Sequence, residues 1–206
     1  MKNILLLITT ITALSLNVAA HADTPSFTYV GLEYVASGNL DVTDGNTTVN
    51  LDLDGFALTG SLELGIFFLQ LSRFELESDE ILGGNIDDNI SSAAFGMTFE
   101  LPQTQVYGLI RARRDELSLR AGGFEEDEDL GYVGAEAGVR INLTDRFEIN
   151  AHIGKPVEEG NAYGVGAQFF VTDNVGITLD FRKLEAEDDE IKGSFDTTSL
   201  GVRVSF

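Results

Sequence analysis

The chain carries repeated runs in which every second side chain is apolar. The clearest run closes the sequence, and small or polar residues separate its apolar positions. Those positions are Leu200, Val202, Val204 and Phe206. A period of two residues is typical of a β-strand with one apolar face and one polar face. The last ten residues are therefore predicted to form a two-faced strand.

Nine similar runs precede this one, so the pattern predicts ten strands in all. They cover residues 27–36, 54–64, 66–72, 92–101, 106–113, 132–143, 147–153, 163–171 and 175–182. Ten residues is about the length that a tilted strand needs to cross a bilayer. In the third run, Arg73 and Phe74 break the alternation, which predicts a bulge or the end of the strand there.

Acidic segments rich in Gly and Asn separate the runs, and their composition predicts solvated loops. They cover residues 37–50, 75–90, 115–129, 154–161 and 185–196. Short turns at residues 144–146 and 172–174 join strands at the opposite end. The pattern as a whole predicts an all-β, antiparallel, up-and-down transmembrane barrel of ten strands, with both termini periplasmic and five acidic loops outside. If the second and third strands merge, eight strands is the alternative.

The N-terminus has the features of a secretory signal peptide. Lys2 precedes an apolar run at residues 4–16, and Ala20-His21-Ala22 fits the A-x-A cleavage pattern. We therefore expect residues 1–22 to be removed and residues 23–206 to form the barrel domain. After Ala22 the chain has no apolar stretch of about 20 residues, which argues against helical membrane spans.

The predicted mature chain is strongly acidic. It has 12 basic and 34 acidic residues, a formal net charge of −22, and the whole chain has no cysteine. This charge argues against nucleic acid and anionic lipid surfaces as partners. The lack of cysteine excludes disulfide bonds and thiol chemistry.

Several of these stretches resemble those of small outer-membrane β-barrel proteins of Gram-negative bacteria, the porin-like or opacity-protein-like surface barrels. They are the stretches at residues 29–34, 131–140 and 201–206, together with the two Thr-Asp turns. The resemblance implies a monomer in the cell outer membrane, in contact with outer-membrane lipid. It also implies that periplasmic chaperones and the barrel-assembly machinery handle the chain, with Leu200, Val202, Val204 and Phe206 as the assembly signal.

Charged residues of both signs are predicted to face the lumen. The acids are Glu33, Glu100, Glu136, Glu148 and Asp180, and the bases are Arg111, Arg113, Arg140, Arg182 and Arg203, with His152 beside them. Small residues are expected across from three long ones: Gly96 opposite Arg111, Gly138 opposite His152, and Gly164 opposite Arg182. Because buried charges must be paired and narrow barrels are filled by side chains, this pattern favours a salt-bridged plug. An ion-conducting slit is the alternative.

The sequence gives little support for catalysis or for a bound cofactor. His152 is the one histidine of the predicted mature chain, and its strand has no neighbouring serine that it could activate. Asp52 and Asp54 precede Gly55, but no glutamate follows at the spacing of a calcium loop. We expect no cofactor and no dedicated metal site, only weak association of divalent cations with the acidic segments.

These observations favour a non-enzymatic surface barrel. Its role would be structural, or it would contact a ligand through the acidic loops outside the cell. The alternative is a small porin-like channel for ions or small solutes. Architectural motifs of this kind identify a fold better than a function.

Overall fold

The computed structural model describes residues 27–44, 47–78, 84–121, 124–155, 160–188 and 191–206, which form ten strands. The strands are β1 (Tyr29–Asp44), β2 (Thr47–Leu64), β3 (Phe67–Ser78), β4 (Gly84–Leu101), β5 (Thr104–Ala121), β6 (Phe124–Thr144), β7 (Phe147–Lys155), β8 (Gly160–Phe170), β9 (Val175–Asp188) and β10 (Ile191–Ser205). The predicted signal peptide lies outside the described residues.

The strands form one closed antiparallel barrel in which each strand pairs with its neighbours in sequence. The ladder between β1 and β10, from Tyr29↔Ser205 to Asp44↔Ile191, closes it. The predicted ten-stranded barrel is confirmed, and the eight-stranded alternative is wrong. Among the described residues, no helix is long and apolar enough to cross a membrane.

The outer face of the barrel is apolar in a band next to the tight turns. On β4, Phe95, Met97 and Phe99 are exposed, whereas Ala94 and Thr98, at alternate positions of the same strand, are buried inside. In lipid the barrel wall must be apolar outside, while closure satisfies the backbone hydrogen bonds. The turn end of the barrel corresponds to the periplasmic end of outer-membrane barrels.

The prediction of long acidic loops is wrong for most of the residues concerned. The strands continue through these segments, and β5 and β6 stay paired out to Ala121↔Phe124. Once a strand has left the lipid, its outer face no longer needs apolar side chains, yet its backbone can still extend the ladder. Composition therefore marked the edge of the lipid band and not the end of the strands.

The predicted bulge or strand end at Arg73 and Phe74 is also wrong. Pairing of β3 with β2 and β4 runs through both residues without a shift. Beyond the lipid band, Arg73 and Glu75 are exposed, while Phe74 and Leu76 turn inward. The apolar face thus changes sides although the strand is continuous.

A bulge occurs instead in β1, where the register shifts between Val35 and Gly38. Beside it, an apolar cluster fills part of the outer lumen. Its buried members are Val35, Leu53, Leu76 and Ile90. This cluster is a small hydrophobic core that supports the wall above the lipid band.

Candidate functional site: the lumen

Four aromatic side chains cross the lumen near its periplasmic end, and we call Phe27, Tyr29, Phe68 and Tyr107 the aromatic seal. The ring of Phe27 stacks on Phe68 with 4.2 Å between centroids, and it meets the Tyr107 ring edge-on at 5.2 Å. Phe27 precedes the first residue of β1, so its ring enters the barrel from outside the ladder. The seal is therefore built from both the wall and the segment that leads into it.

Arg140 and Glu148 form a two-pronged ion pair beside the seal. Arg140 Nε donates to Glu148 Oε1 at 2.9 Å, and Nη2 donates to Oε2 at 2.8 Å. Their side chains are only 6% and 0% exposed. The Arg140 guanidinium also lies 4.8 Å from the centre of the Phe27 ring. Because both carboxylate oxygens are occupied, the buried charge of Glu148 is compensated.

Glycines in the wall leave room for the large side chains of the lumen. A Cβ on Gly138 would lie 2.4 Å from Cζ of Tyr107, and one on Gly96 would lie equally close to Cζ of Phe68. Such distances leave no space for any other residue without movement of the ring. These glycines are therefore part of the packing of the seal.

The register agrees with two of the three predicted cross-strand pairs. His152 lies opposite Gly138 and Arg182 lies opposite Gly164. Arg111, however, lies opposite Ala94, so the predicted pairing with Gly96 is wrong. The predicted strands left four residues, 102–105, for the turn, whereas the turn has only two, Pro102 and Gln103. This shorter turn moves the partner of Arg111 by two positions, from Gly96 to Ala94.

The remaining lumen arginines are held by different groups. Arg111 lies 3.4 Å from Glu136 and donates to Oε1 of Gln70 at 2.9 Å. Arg182 lies 3.3 Å from Glu33, which also accepts a hydrogen bond from Ser199.

Arg203 and Arg113 complete the set of lumen bases. Arg203 donates to Gln168 at 2.9 Å and stacks over the Tyr29 ring. Arg113, farther out, lies 2.6 Å from Asp115. The five arginines are thus spread along the lumen, each with its own acceptor.

Two of the predicted acids differ in their surroundings. Asp180 is buried near Arg182 and Arg203. Glu100 is exposed at the periplasmic end of β4, and none of the described ion pairs includes it. The aromatic seal, in contrast, was not singled out from the sequence, since alternation alone does not distinguish a space-filling ring from an ordinary wall residue.

A cavity of about 220 Å³ lies outward of the seal. The residues that line it include Glu33, Arg111, Glu136, His152, Asp180 and Arg182. It extends to Gly154, Ala162 and Leu184, which lie at the outer ends of the neighbouring strands β7, β8 and β9. The cavity therefore borders the seal at Phe27, Tyr29 and Tyr107 and reaches toward the outer side of the barrel.

A separate carboxylate cluster lies above the lipid band. Burial and the nearby charge of Asp115 together raise the pKa of Asp88 to about 6, and the charge of Arg113 opposes this shift. Asp115 is itself held by Arg113 and accepts a hydrogen bond from Tyr132 at 3.1 Å. Asp115 therefore has a cationic partner, Arg113, whereas none of the described ion pairs includes Asp88.

The described lumen residues show no recognisable catalytic or metal centre. No described hydrogen bond joins His152 to a serine or threonine hydroxyl. Across the part of the chain that the structure describes, no three His, Asp or Glu side chains are placed to hold a metal ion.

Comparison with known proteins identifies the fold. The structure is similar to the translocator domain of the autotransporter NalP from Neisseria meningitidis, with a TM-score of 0.53 and 10% identity over 96% of this chain and 93% of that one. Neisserial surface protein A gives a TM-score of 0.49 at 14% identity, covering 88% of this chain and 98% of the other. Ail, the attachment invasion locus protein of Yersinia pestis, gives 0.42 at 16% identity, covering 86% and 99%.

No protein-family model matches the sequence, and no curated protein matches it either. The structural likeness shows the fold: a small, closed, antiparallel β-barrel like that of the NalP translocator domain.

Proposed function

We propose that the protein is a non-enzymatic, non-conducting surface barrel. In this proposal the barrel, with its lumen filled, anchors the protein in the membrane. The charged wall above the lipid band contacts ligands outside the cell. The observation that carries it is the stacking of the Phe27 and Phe68 rings inside the barrel, beside the buried Arg140–Glu148 pair. Side chains fill narrow barrels in this way when the barrel acts as an anchor and not as a pore.

Burial near the periplasmic end supports a non-conducting lumen. Phe68 and Glu148 are completely inaccessible to solvent, and so is the amide of Gln105. An ion would have to displace these groups and break a paired, desolvated charge. The cavity on the outer side of the seal would therefore hold water or a small molecule without leading through the barrel.

The wall above the lipid band supports a contact role. Its exposed acids include Asp52, Asp54, Glu75, Glu77, Glu116, Asp127 and Asp129. Exposed charges of one sign steer oppositely charged ligands toward a surface. We include in the proposal a monomer in contact with outer-membrane lipid, and weak association of divalent cations with these acids.

Single-channel recording on the refolded protein in planar bilayers tests the proposal. The wild type should give no discrete conductance steps. The double variant Phe27→Ala/Phe68→Ala removes two seal rings and serves as the opened comparison, while Leu62→Ala on the lipid face is the matched control. If the wild type conducts in steps as large as those of the seal variant, the barrel is a channel and the proposal is wrong.

A further inference from the structure

The strands of the barrel end at unequal heights, and this leaves a gap above β7. β6 has 21 residues and β7 only nine. Their ladder runs from Ala135↔Lys155 to Thr144↔Phe147. The outer part of β6, residues 124–134, is paired with β5 on one side and has no partner strand among the described residues on the other. We call residues 124–134 of β6 the free edge.

The chain that follows β7 is too short to cover the free edge. Only four residues, 156–159, connect Lys155 to Gly160, the first residue of β8. Fully extended, four residues reach about 14 Å, whereas eleven residues of strand measure about 36 Å. A segment covering the edge would have to run out along it and return. The connection therefore cannot supply a partner strand for the whole edge.

Among the described residues, no strand pairs with the backbone groups on the β7 side of the free edge. The carbonyl oxygen of Ala135 lies on the β7 side, 2.9 Å from where a Cβ on Gly154 would sit. In a strand the backbone groups of every second residue point to the same side. Gly131 and Val133 therefore direct their N–H and C=O groups into the gap. Unpaired strand edges of this kind accept an added strand from another chain.

The side chains at the free edge indicate what such a strand would carry. Leu130, on the inner face, is 47% exposed, which is high for an apolar residue above the lipid band. Asp127, Glu128 and Asp129 beside it are all exposed, and Asp129 already binds Arg114 at 2.6 Å, so Asp127 and Glu128 carry the free charge. A strand that pairs here therefore meets an apolar contact on one face and clustered negative charge next to it.

We infer that the free edge of β6 binds an extended, basic peptide segment of another protein by addition of a strand to the barrel wall. A second copy of this chain is a poor occupant, because pairing of two free edges would bring their acids together. The inference names the kind of partner for the surface role proposed above and rests on that role. Backbone hydrogen bonds would supply affinity, and the acids would select lysine and arginine.

The test uses the complete mature barrel refolded in nanodiscs and three labelled octapeptides. One alternates lysine and valine, the second alternates glutamate and valine, and the third is the lysine peptide with every backbone amide N-methylated, so that neither of its edges can donate. Fluorescence anisotropy should show binding of the lysine peptide alone. Loss of two or more hydrogen bonds should weaken the N-methylated peptide by at least about tenfold.

A barrel variant provides the reciprocal test. Gly131→Pro removes one N–H from the gap and should weaken the lysine peptide by several-fold, whereas Gly60→Ala on the lipid face should not. The N-methylated peptide leaves the barrel unchanged, so the result does not depend on how well the proline variant folds.

Three results would overturn the inference. Equal binding of the methylated and unmethylated lysine peptides would show attraction by charge alone. No binding of any peptide, or self-association of the barrel in sedimentation experiments, would also contradict it. Each of these results would leave the conductance test of the sealed lumen standing, so the two proposals fail independently.

Discussion

Arg182 on β9 donates a hydrogen bond to Glu33 on β1 at 3.3 Å, across 149 positions of sequence. The sequence pattern predicts that both side chains face the lumen, but it does not predict that they meet. Strands β1 and β9 both flank β10, so this contact requires β10 to be in place between them. The ion pairs of the lumen therefore depend on closure of the barrel, and they rigidify it only once it is closed.

Breaking the buried pair of Arg140 and Glu148 should strongly destabilise the barrel. Arg140→Ala leaves the carboxylate of Glu148 buried without its partner, at a cost of about 3 to 5 kcal/mol in the free energy of unfolding. Urea unfolding of the refolded protein in detergent micelles measures this cost. The control Glu128→Ala, at an exposed position of β6, should change stability by less than about 0.5 kcal/mol. Equal effects of the two substitutions would contradict the buried pair.

Gly138 should not tolerate even one added methyl group. The Cβ of Gly138→Ala would overlap the Tyr107 ring, which Phe27 and the hydrogen bond to Glu136 hold in place. We expect a loss of about 1 to 3 kcal/mol in the same unfolding experiment. Gly60→Ala is the matched control, because a Cβ there meets no atom within 4 Å. A neutral Gly138→Ala would mean that the ring of Tyr107 is free to move.

The raised pKa of Asp88 should make stability depend on pH. The carboxyl has a pKa of about 6 in the folded protein, because of burial and the charge of Asp115, and about 3.9 in the unfolded chain. Between these values the folded state binds more protons, so the free energy of unfolding falls as pH rises from about 4 to 6. Asp88→Asn should flatten this slope and stabilise the protein at pH 7 by on the order of 2 kcal/mol.

Urea midpoints at pH 4 to 7 for the wild type and Asp88→Asn give the comparison. Glu77→Gln, at an exposed position of β3, controls for removal of one negative charge and should keep the wild-type slope. A slope that survives Asp88→Asn would assign the effect to another group.

The orientation of the barrel can be tested with single cysteines, since the chain has none of its own. Asp127→Cys lies on the outer part of β6, and Asp173→Cys lies in a tight turn at the other end; both positions are exposed. A membrane-impermeant maleimide should label the first variant on intact cells and the second only after the outer membrane is opened. The reverse result would invert the topology.

Phe206 is predicted to be needed for assembly of the barrel. It follows directly after β10, and its backbone N–H donates to the carbonyl oxygen of Thr28 at 3.0 Å. Phe206→Ala keeps this backbone bond but removes the ring. We expect a smaller fraction of the variant than of the wild type to insert, and the difference would measure the contribution of the ring alone. Heat-modifiable mobility of the protein in outer-membrane fractions measures insertion, with Ser205→Ala as the control. Normal insertion of both Phe206→Ala and a chain lacking Phe206 would contradict the prediction.

The sequence predicted the part of each strand that lies in lipid, because lipid requires an apolar outer face and the lumen does not. It failed at Phe74 and Leu76, where the strand has left the lipid and the apolar residues turn inward. It also failed along residues 115–129, where acidic composition suggested a loop but the backbone ladder continues. Side-chain patterns report the surroundings of a strand, and above the membrane those surroundings change while the backbone pairing does not.

The lumen was predictable in part for a related reason. Alternation predicts that Arg140 and Glu148 face inward, since a charged side chain in the lipid band has no other favourable position. The partner of Arg182 and the insertion of Phe27 depend on which strands meet across the closed barrel. Those contacts join residues far apart in sequence, and a local pattern carries no information about them.

The contact between Phe206 and Thr28 brings the two ends of the described chain side by side at the closing seam. A ring of ten strands has no first member in space, so a circular permutant that joins these ends and opens an outer hairpin would retain the same ladder. Such a chain would end in a different strand. It would therefore separate two properties that coincide in β10: having this sequence, and being the last barrel strand in chain order.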